Sequence, residues 1–362
     1  MDNTKGKIGI REFLAIILIT IGTKVTDNTP TSLFDKVGSA AWITVILMGL
    51  FSFIPIYLLT KLIIAYEDQN LIDIIFRLLG KYIGFFVIFL LWTTETYSIV
   101  INSATYADII ETMYFVKTPL FFTYIVLIGV AAYGAKKGLE FIGSAAWVSL
   151  IGLNIALFVV LILSILQGRF NYVYPILGNG IPEIMKESAM NASILGEFLY
   201  LGFIVTSLRS TNVYKKGIWI GFIYVTTVYM LALISYIMLF DYVSIVNLNY
   251  PFHETIRFIQ LGFLTNVESL FLPFWLVASF LRFSFYLYIS ALLFGALFKI
   301  KQFNYLVPSI AILIVFLGLI PEAPVFTLIN LRENFAYLTT PIFLFLPLIL
   351  WITAKLKGEL KK

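Results

Sequence analysis

Ten stretches of largely apolar residues alternate along the chain with short polar connections. A helix that crosses a membrane needs about 20 such residues. On that measure the stretches fall at roughly 8 to 37, 38 to 64, 82 to 113, 118 to 135 and 138 to 167, and then at about 181 to 207, 213 to 240, 262 to 298, 303 to 320 and 333 to 356. Nothing between them is long enough for a separate soluble domain, so residues 1 to 362 are expected to form one transmembrane domain. Two connections are amphipathic: residues 71 to 79, with Asp73 and Arg77 among aliphatics, and residues 251 to 261. Such segments are expected to lie along the interface or to cap the bundle.

Composition agrees with a chain whose main solvent is lipid. Of the 362 residues 60% are apolar, 17% aromatic and only 12% charged, against roughly a quarter charged in soluble domains. So few charges cannot cover a soluble fold of this length, and the apolar surface has to face lipid or other helices.

The formal charge of +5 matters mainly through its placement. Basic residues cluster between apolar runs, as at Lys136-Lys137, Lys215-Lys216 and Lys299 with Lys301, a pattern that orients a membrane protein and does not make a nucleic-acid surface. With the N-terminus in the cytoplasm, that side also collects Lys5, Lys7, Arg11, Lys61, Arg77, Lys81, Arg209 and the C-terminal lysines. The opposite side has Lys36, Lys117, Arg169, Lys186, Arg257 and Arg332, while Lys24 and Arg282 fall inside segments. Both termini are therefore expected in the cytoplasm. The first apolar run lacks a small-residue cleavage site and reads as a retained helix. With no cysteine there is no disulfide framework and no thiolate metal site.

Two crossings do not read as continuous helices. In the first, the apolar run from Phe13 to Ile21 meets Gly22-Thr23-Lys24-Val25-Thr26-Asp27-Asn28-Thr29-Pro30, polar residues and helix breakers at membrane depth. In the sixth, Asn191-Ala192-Ser193-Ile194-Leu195-Gly196-Glu197-Phe198 puts small residues and an acid in mid-segment. The two places lie close to half the chain apart, and paired interruptions in corresponding positions point to an inverted repeat with its binding site between the halves. Broken helices suit that purpose because freed amides and carbonyls, tolerated only around a protein-lined cavity, bind the charged ends of a small solute.

With these features the chain resembles the amino acid, polyamine and organocation transporter superfamily and, more narrowly, the spore germination permeases, the B subunits of Ger-type nutrient receptors. The resemblance rests on the length, the opening Lys7-Ile8-Gly9-Ile10-Arg11-Glu12-Phe13, the Gly22-Thr23 break, the pair Gly196-Glu197 and the general richness in Lys and Phe. It implies an all-α polytopic membrane protein of ten transmembrane helices in a five-plus-five inverted repeat, the leucine-transporter-like fold, with repeats at about 8 to 167 and 181 to 356 and helices 1 and 6 broken. It departs from the superfamily in one respect: Gly22 is followed by Thr23 and Lys24 where two or more glycines are usual.

The expected ligand site is a small mid-membrane cavity lined by Gly22, Thr23, Thr94, Tyr97, Ser193, Gly196 and Glu197. An amino acid's carboxylate would meet amides of the first break, and its ammonium would meet carbonyls or Glu197 at the sixth. Ionisable residues at membrane depth are costly and mark function. Glu95, in Trp92-Thr93-Thr94-Glu95-Thr96-Tyr97, and Arg282, in Phe280-Leu281-Arg282-Phe283-Ser284, are expected to form a buried ion pair or proton relay. Arg282 requires an acidic partner, Glu95 first and Glu197 second. Many sodium-coupled members hold a cation between the first break and the eighth crossing. A guanidinium there would make this protein independent of sodium.

Asp108, Glu111 and Glu140 read as ordinary carboxylates near helix ends, Asn102 and Asn154 as interhelical hydrogen-bond residues, and His253 as a surface residue. No phosphate loop, nucleophile elbow or metal-ligand spacing supports an enzyme, a cofactor or a metal. The resemblance implies a membrane subunit of a spore germinant receptor in the spore inner membrane, working with an A-type membrane subunit and a C-type lipoprotein. Its ligand is expected to be a free amino acid, with a small sugar or a nucleoside as the other classes. A proton-coupled, sodium-independent amino-acid transporter is the alternative, and a water or ion conduit a third.

Overall fold

The computed structural model describes residues 7–260, 268–321 and 324–360, and almost all of them are helical. Leu261 and the first residues of the expected segment 262 to 298 lie outside the described residues, as do Lys5, Lys361 and Lys362. Among the described residues seven helical stretches are long and apolar enough to cross a membrane, and eight with the bent pair Ile181–Met190 and Ala192–Ser207, which meet at 42°. A count of ten needs two further members: the broken stretch that opens the chain, and the short apolar helix Phe303–Gly318.

In chain order the first half has α1 (Ile10–Thr20), α2 (Thr29–Val37), α3 (Ala41–Ala65), α4 (Leu71–Ile109), α5 (Leu120–Lys137) and α6 (Leu139–Gln167). The second has α7 (Ile181–Met190), α8 (Thr211–Phe240), α9 (Tyr242–Ile245), α10 (Pro251–Phe258), α11 (Glu268–Leu297), α12 (Val307–Gly318) and α13 (Pro324–Leu356). The first expected crossing is thus two helices, α1 and α2, joined by a 3₁₀ stretch over Gly22–Thr26. The sixth is α7 followed by 3₁₀ turns over Ala192–Ile194 and a twelve-residue 3₁₀ run over Gly196–Ser207. Runs of 3₁₀ helix beyond about four residues are uncommon and mark hinges or strain. Both interruptions fall where the polar and small residues of the sequence put them.

At the start of the third crossing, the amphipathic residues 71 to 79 join the membrane helix through Gly80, which has φ +76°. Only glycine adopts that conformation without strain. Asn70 and Asp73 cap the start of α4 reciprocally.

The helix that opens the chain is the most enclosed. Phe13 and every residue from Ala15 to Thr20 are buried, because α1 is surrounded by α6, α8 and α11. Glycines permit that approach: a Cβ at Gly217 would stand 2.3 Å from the Phe13 ring, at Gly221 2.6 Å from Ile17, and at Gly143 2.8 Å from Glu12. Small residues at such seams let membrane helices pack closely. By contrast Phe86, Val148, Leu166, Ile312 and Phe316 are exposed, as lipid-facing side chains are. Just before α1, Ile8 is tied to the end of the sixth crossing by two backbone bonds, Ile8 N to Ser207 O at 2.9 Å and Arg209 N to Ile8 O at 3.1 Å.

Candidate functional site

Between the two breaks lies a cavity of about 80 Å³. At ~10–15 Å³ per water it would hold roughly five to eight waters, the bulk of a small polar solute. Thr94, Ser98 and Asn102 of α4 form one wall, Asn191, Ser193 and Glu197 of the second break another, and Phe335, Ala336 and Phe343 of α13 a third. The first break contributes Lys24, Asp27 and Asn28.

The breaks bring charge to this depth because each exposes backbone that a regular helix would have paired. Lys24 Nζ donates to the Ile194 carbonyl at 2.7 Å and lies 2.8 Å from Glu197 Oε1. The other Glu197 oxygen accepts from the Tyr286 hydroxyl. From α11, the wholly buried Arg282 reaches the first break, with Nη1 donating to Thr23 Oγ1 at 2.8 Å and to the Tyr106 hydroxyl at 3.3 Å. Its guanidinium lies over the Tyr106 and Tyr286 rings, 5.5 and 5.6 Å from their centroids, and Nη2 is 3.9 Å from Glu197 Oε1. Arg332 of α13 closes a second cluster on the same cavity. It pairs with Asp27 at 2.9 Å, bonds Asn28 Oδ1, and donates to Asn102 Oδ1 at 3.0 Å and Thr105 Oγ1 at 3.1 Å. Beside it Ser32 donates to Glu333, which also faces Lys36 at 3.7 Å.

Of the residues expected at the ligand site, Thr94, Ser193 and Glu197 stand on the cavity wall. Thr23 lies one layer behind, as acceptor for Arg282. Gly22 lines a separate, mostly apolar cavity of about 30 Å³, and Gly196 a void of about 10 Å³ beside Phe343. Tyr97 is 37% exposed and packs on the wall residue Phe335 without lining the cavity itself.

Four expectations are corrected. Arg282 faces Glu197, not Glu95, because the second break carries Glu197 inward between Lys24 and Tyr286. Glu95 is buried with its Oε1 unpartnered, near Tyr200, whose hydroxyl lies 3.3 Å from Thr94. His253 is no surface residue: it is 1% exposed, its Nδ1 lies 2.6 Å from the Tyr114 hydroxyl, and its ring stands against Trp275. Asp108 is buried and accepts from Tyr250, and Arg332 belongs to the helix core of the site, not to an outer loop. Sequence reasoning missed Lys24, Asp27 and Asn28 as site residues although they lie in the polar stretch it singled out. A run of polar residues shows that a break exists but not which side chains turn inward. Asn154 does join helices, accepting from the Tyr224 hydroxyl at 2.7 Å, and Asn102 does so through Arg332. Among the described residues no group of three His, Cys, Asp or Glu could hold a metal.

An all-helical bundle with two unwound crossings and an ionised cavity between them defines a membrane protein of the leucine-transporter-like fold. A solved mutant of the manganese transporter of Eremococcus coleocola has that fold, with TM-score 0.60 and 13% identity over 94% of this chain and 76% of its own. The chain belongs to the spore germination protein family of spore permeases, which matches residues 10–326. It is similar to spore germination protein KB of Bacillus subtilis (strain 168), 24% identical over 98% of this chain and 96% of that protein. It is similar also to spore germination protein YndE of the same organism, 22% identical over 96% and 93%.

Proposed function

We propose that this chain is the germinant-binding membrane subunit of a spore nutrient receptor, a single transmembrane domain in the spore inner membrane with both termini cytoplasmic. It acts with an A-type membrane subunit and a C-type lipoprotein, and is not an enzyme. The observation that supports this reading best is the 80 Å³ cavity between two broken crossings, walled by ionised side chains that already neutralise one another. A small polar germinant entering there disturbs two ion clusters that tie α4, α11 and α13 to the breaks, and so shifts the balance between two arrangements of the bundle. A free amino acid is the ligand class that the resemblance implies.

Arg282 joins the first break to α11 through Thr23, so the response is expected to need no sodium. Purification with its neighbours tests the reading. Stable A- and C-type partners support the receptor, whereas concentrative uptake by the isolated chain in liposomes supports the proton-coupled transporter instead. A steep sodium requirement of the germination response would overturn the role given to Arg282.

A further inference from the structure

The carbonyl end of the second break is where a ligand's ammonium group would be recognised. A backbone carbonyl set free by unwinding, Ile194 O, stands there beside the Glu197 carboxylate, and such groups bind cations. That place is already taken by the chain's own ammonium. Lys24 leaves the first break, crosses to the second and satisfies both groups at 2.7 and 2.8 Å, with its side chain only 12% exposed.

The charges around it leave no room for a second ammonium. Glu197 faces two cations, Lys24 and Arg282. Asp27 is bridged by Arg332, and Glu333 is held by Ser32 and Lys36. Glu95 is not on the cavity wall. An entering ammonium therefore meets no unclaimed carboxylate on the wall, and to reach Ile194 it would have to expel Lys24 from its acid, with the other wall acids already paired and Glu95 behind the wall. An unpaired charge at such depth is strongly disfavoured. What the cavity has left to offer is neutral: the amide ends of Asn28 and Asn191 that Arg332 and Glu187 do not hold, the Ser98 hydroxyl as a donor, and the aromatic faces of Phe335 and Phe343.

We propose that Lys24 is a built-in occupant of the ammonium subsite, and that the cavity takes a small hydroxylated solute, uncharged or bearing one carboxylate, that has no ammonium group. This rests on the cavity being the ligand site. It narrows the ligand class away from the amino acid that the family resemblance implies. Lys24 is then a specificity-determining residue, since the positive charge that a transporter of this fold would take from its ligand is supplied from within.

L-alanine, L-lactate and glycerol have the same number of heavy atoms and differ in the ammonium and carboxylate groups. Thermal stabilisation of the purified full chain is measured with each, and with methylammonium, for the unmodified protein and for Lys24→Ala. In the unmodified protein L-lactate or glycerol is expected to stabilise at least as well as L-alanine. Stabilisation by L-alanine and by neither of the others would overturn the proposal. Lys24→Ala opens the subsite, so it is expected to bind methylammonium about tenfold or more tightly than the unmodified protein, the size of a charge-assisted hydrogen bond. If methylammonium stabilises both proteins alike, or neither, the subsite is not filled as described and the proposal fails. Should Lys24→Ala not survive purification, Lys24→Gln takes its place with the same two outcomes. These readouts are binding alone, so a chain that shows this preference but has no part in germination would remove the receptor reading and leave the ligand class standing.

Discussion

The two breaks do the same geometric job, but their glycines sit in opposite surroundings. Gly22, at the first, has open space around it: an added Cβ would find only Val225, at 3.9 Å. What holds that break is polar. Thr23 donates to Ile19 O and Thr26 to Thr23 O, Asp27 accepts from the Thr29 amide, and Tyr236 and Tyr106 donate to the Val25 and Thr23 carbonyls. The second break has polar ties too, with Thr340 donating to the Met190 carbonyl at 2.7 Å, Ser193 to the Ala336 carbonyl at 3.1 Å and Lys24 to the Ile194 carbonyl, but its glycine is closely packed. A Cβ on Gly196 would stand 2.5 Å from Cγ of Phe343, and α13 fills the space beside it. A glycine at a break is thus not by itself evidence of a required backbone conformation: one of these is a spacer and the other a hydrogen-bonded turn that carries a glycine.

That difference predicts a ranking. Gly196→Leu forces a side chain into the Phe343 ring and is expected to abolish the germination response, with overpacking of about 1–3 kcal/mol or more seen as a lower melting temperature of the purified protein. A response with unchanged nutrient sensitivity would show that the second break tolerates bulk and place the site elsewhere.

Next in size is the ion cluster that joins the breaks. Arg282→Gln leaves Glu197 with Lys24 as its one cation beside the Tyr286 hydroxyl and strips Thr23 and Tyr106 of the Arg282 donor, and removing one partner of a buried pair costs roughly 3–5 kcal/mol. Arg282→Gln and Glu197→Gln are expected to be non-additive, although the double variant leaves Lys24 without its acid, whereas Glu95→Gln added to Arg282→Gln is expected to be additive, since those two are not paired. A double-mutant cycle on melting temperature distinguishes the two couplings. Recovery with Glu95 would restore the pairing first expected from the sequence.

A smaller effect comes from the lid over the first break. His253 of α10, in the connection between α8 and α11, packs on Trp275, whose indole N–H donates to Thr26 Oγ1 at 3.0 Å. Burial, with Arg257 nearby and Tyr114 and Tyr250 as the other titratable neighbours, lowers its pKa from 6.5 to about 3. The folded protein keeps the ring neutral while the unfolded chain takes up a proton, so this residue costs nothing above pH 6.5 and removes stability as pH falls from there towards 3. Melting temperature against pH should therefore fall less steeply over that window in His253→Phe than in the unmodified protein. An equal slope in both would show that the ring is reached by water.

The smallest effect belongs to Gly22→Ala, expected to change stability by no more than about 0.5 kcal/mol and to leave the response intact. A large loss there would make the two breaks alike after all.

Hydrophobic length, basic clusters and the two interruptions were legible in the sequence because each is a local property, set by the solvent that a stretch of chain must meet. The segment pattern, the bend before the membrane part of α4 and both unwound stretches follow from it. Partnership across the bundle was not legible. Nothing local distinguishes Glu95 from Glu197 as the acid for Arg282, since both are single carboxylates in apolar runs. Only the 3₁₀ run after Gly196 turns Glu197 towards Lys24 and Tyr286, while the regular helix of α4 leaves Glu95 in the layer behind. Arg332 and His253 were misread for the same reason: a residue near a connection looks solvated until the helices that cover it are in place. The sequence by itself therefore decided that this chain crosses a membrane and where two of its crossings break. The tertiary structure alone decided which charges meet in the cavity, because a buried charge chooses its partner by distance through space, and distance along the chain carries no trace of it.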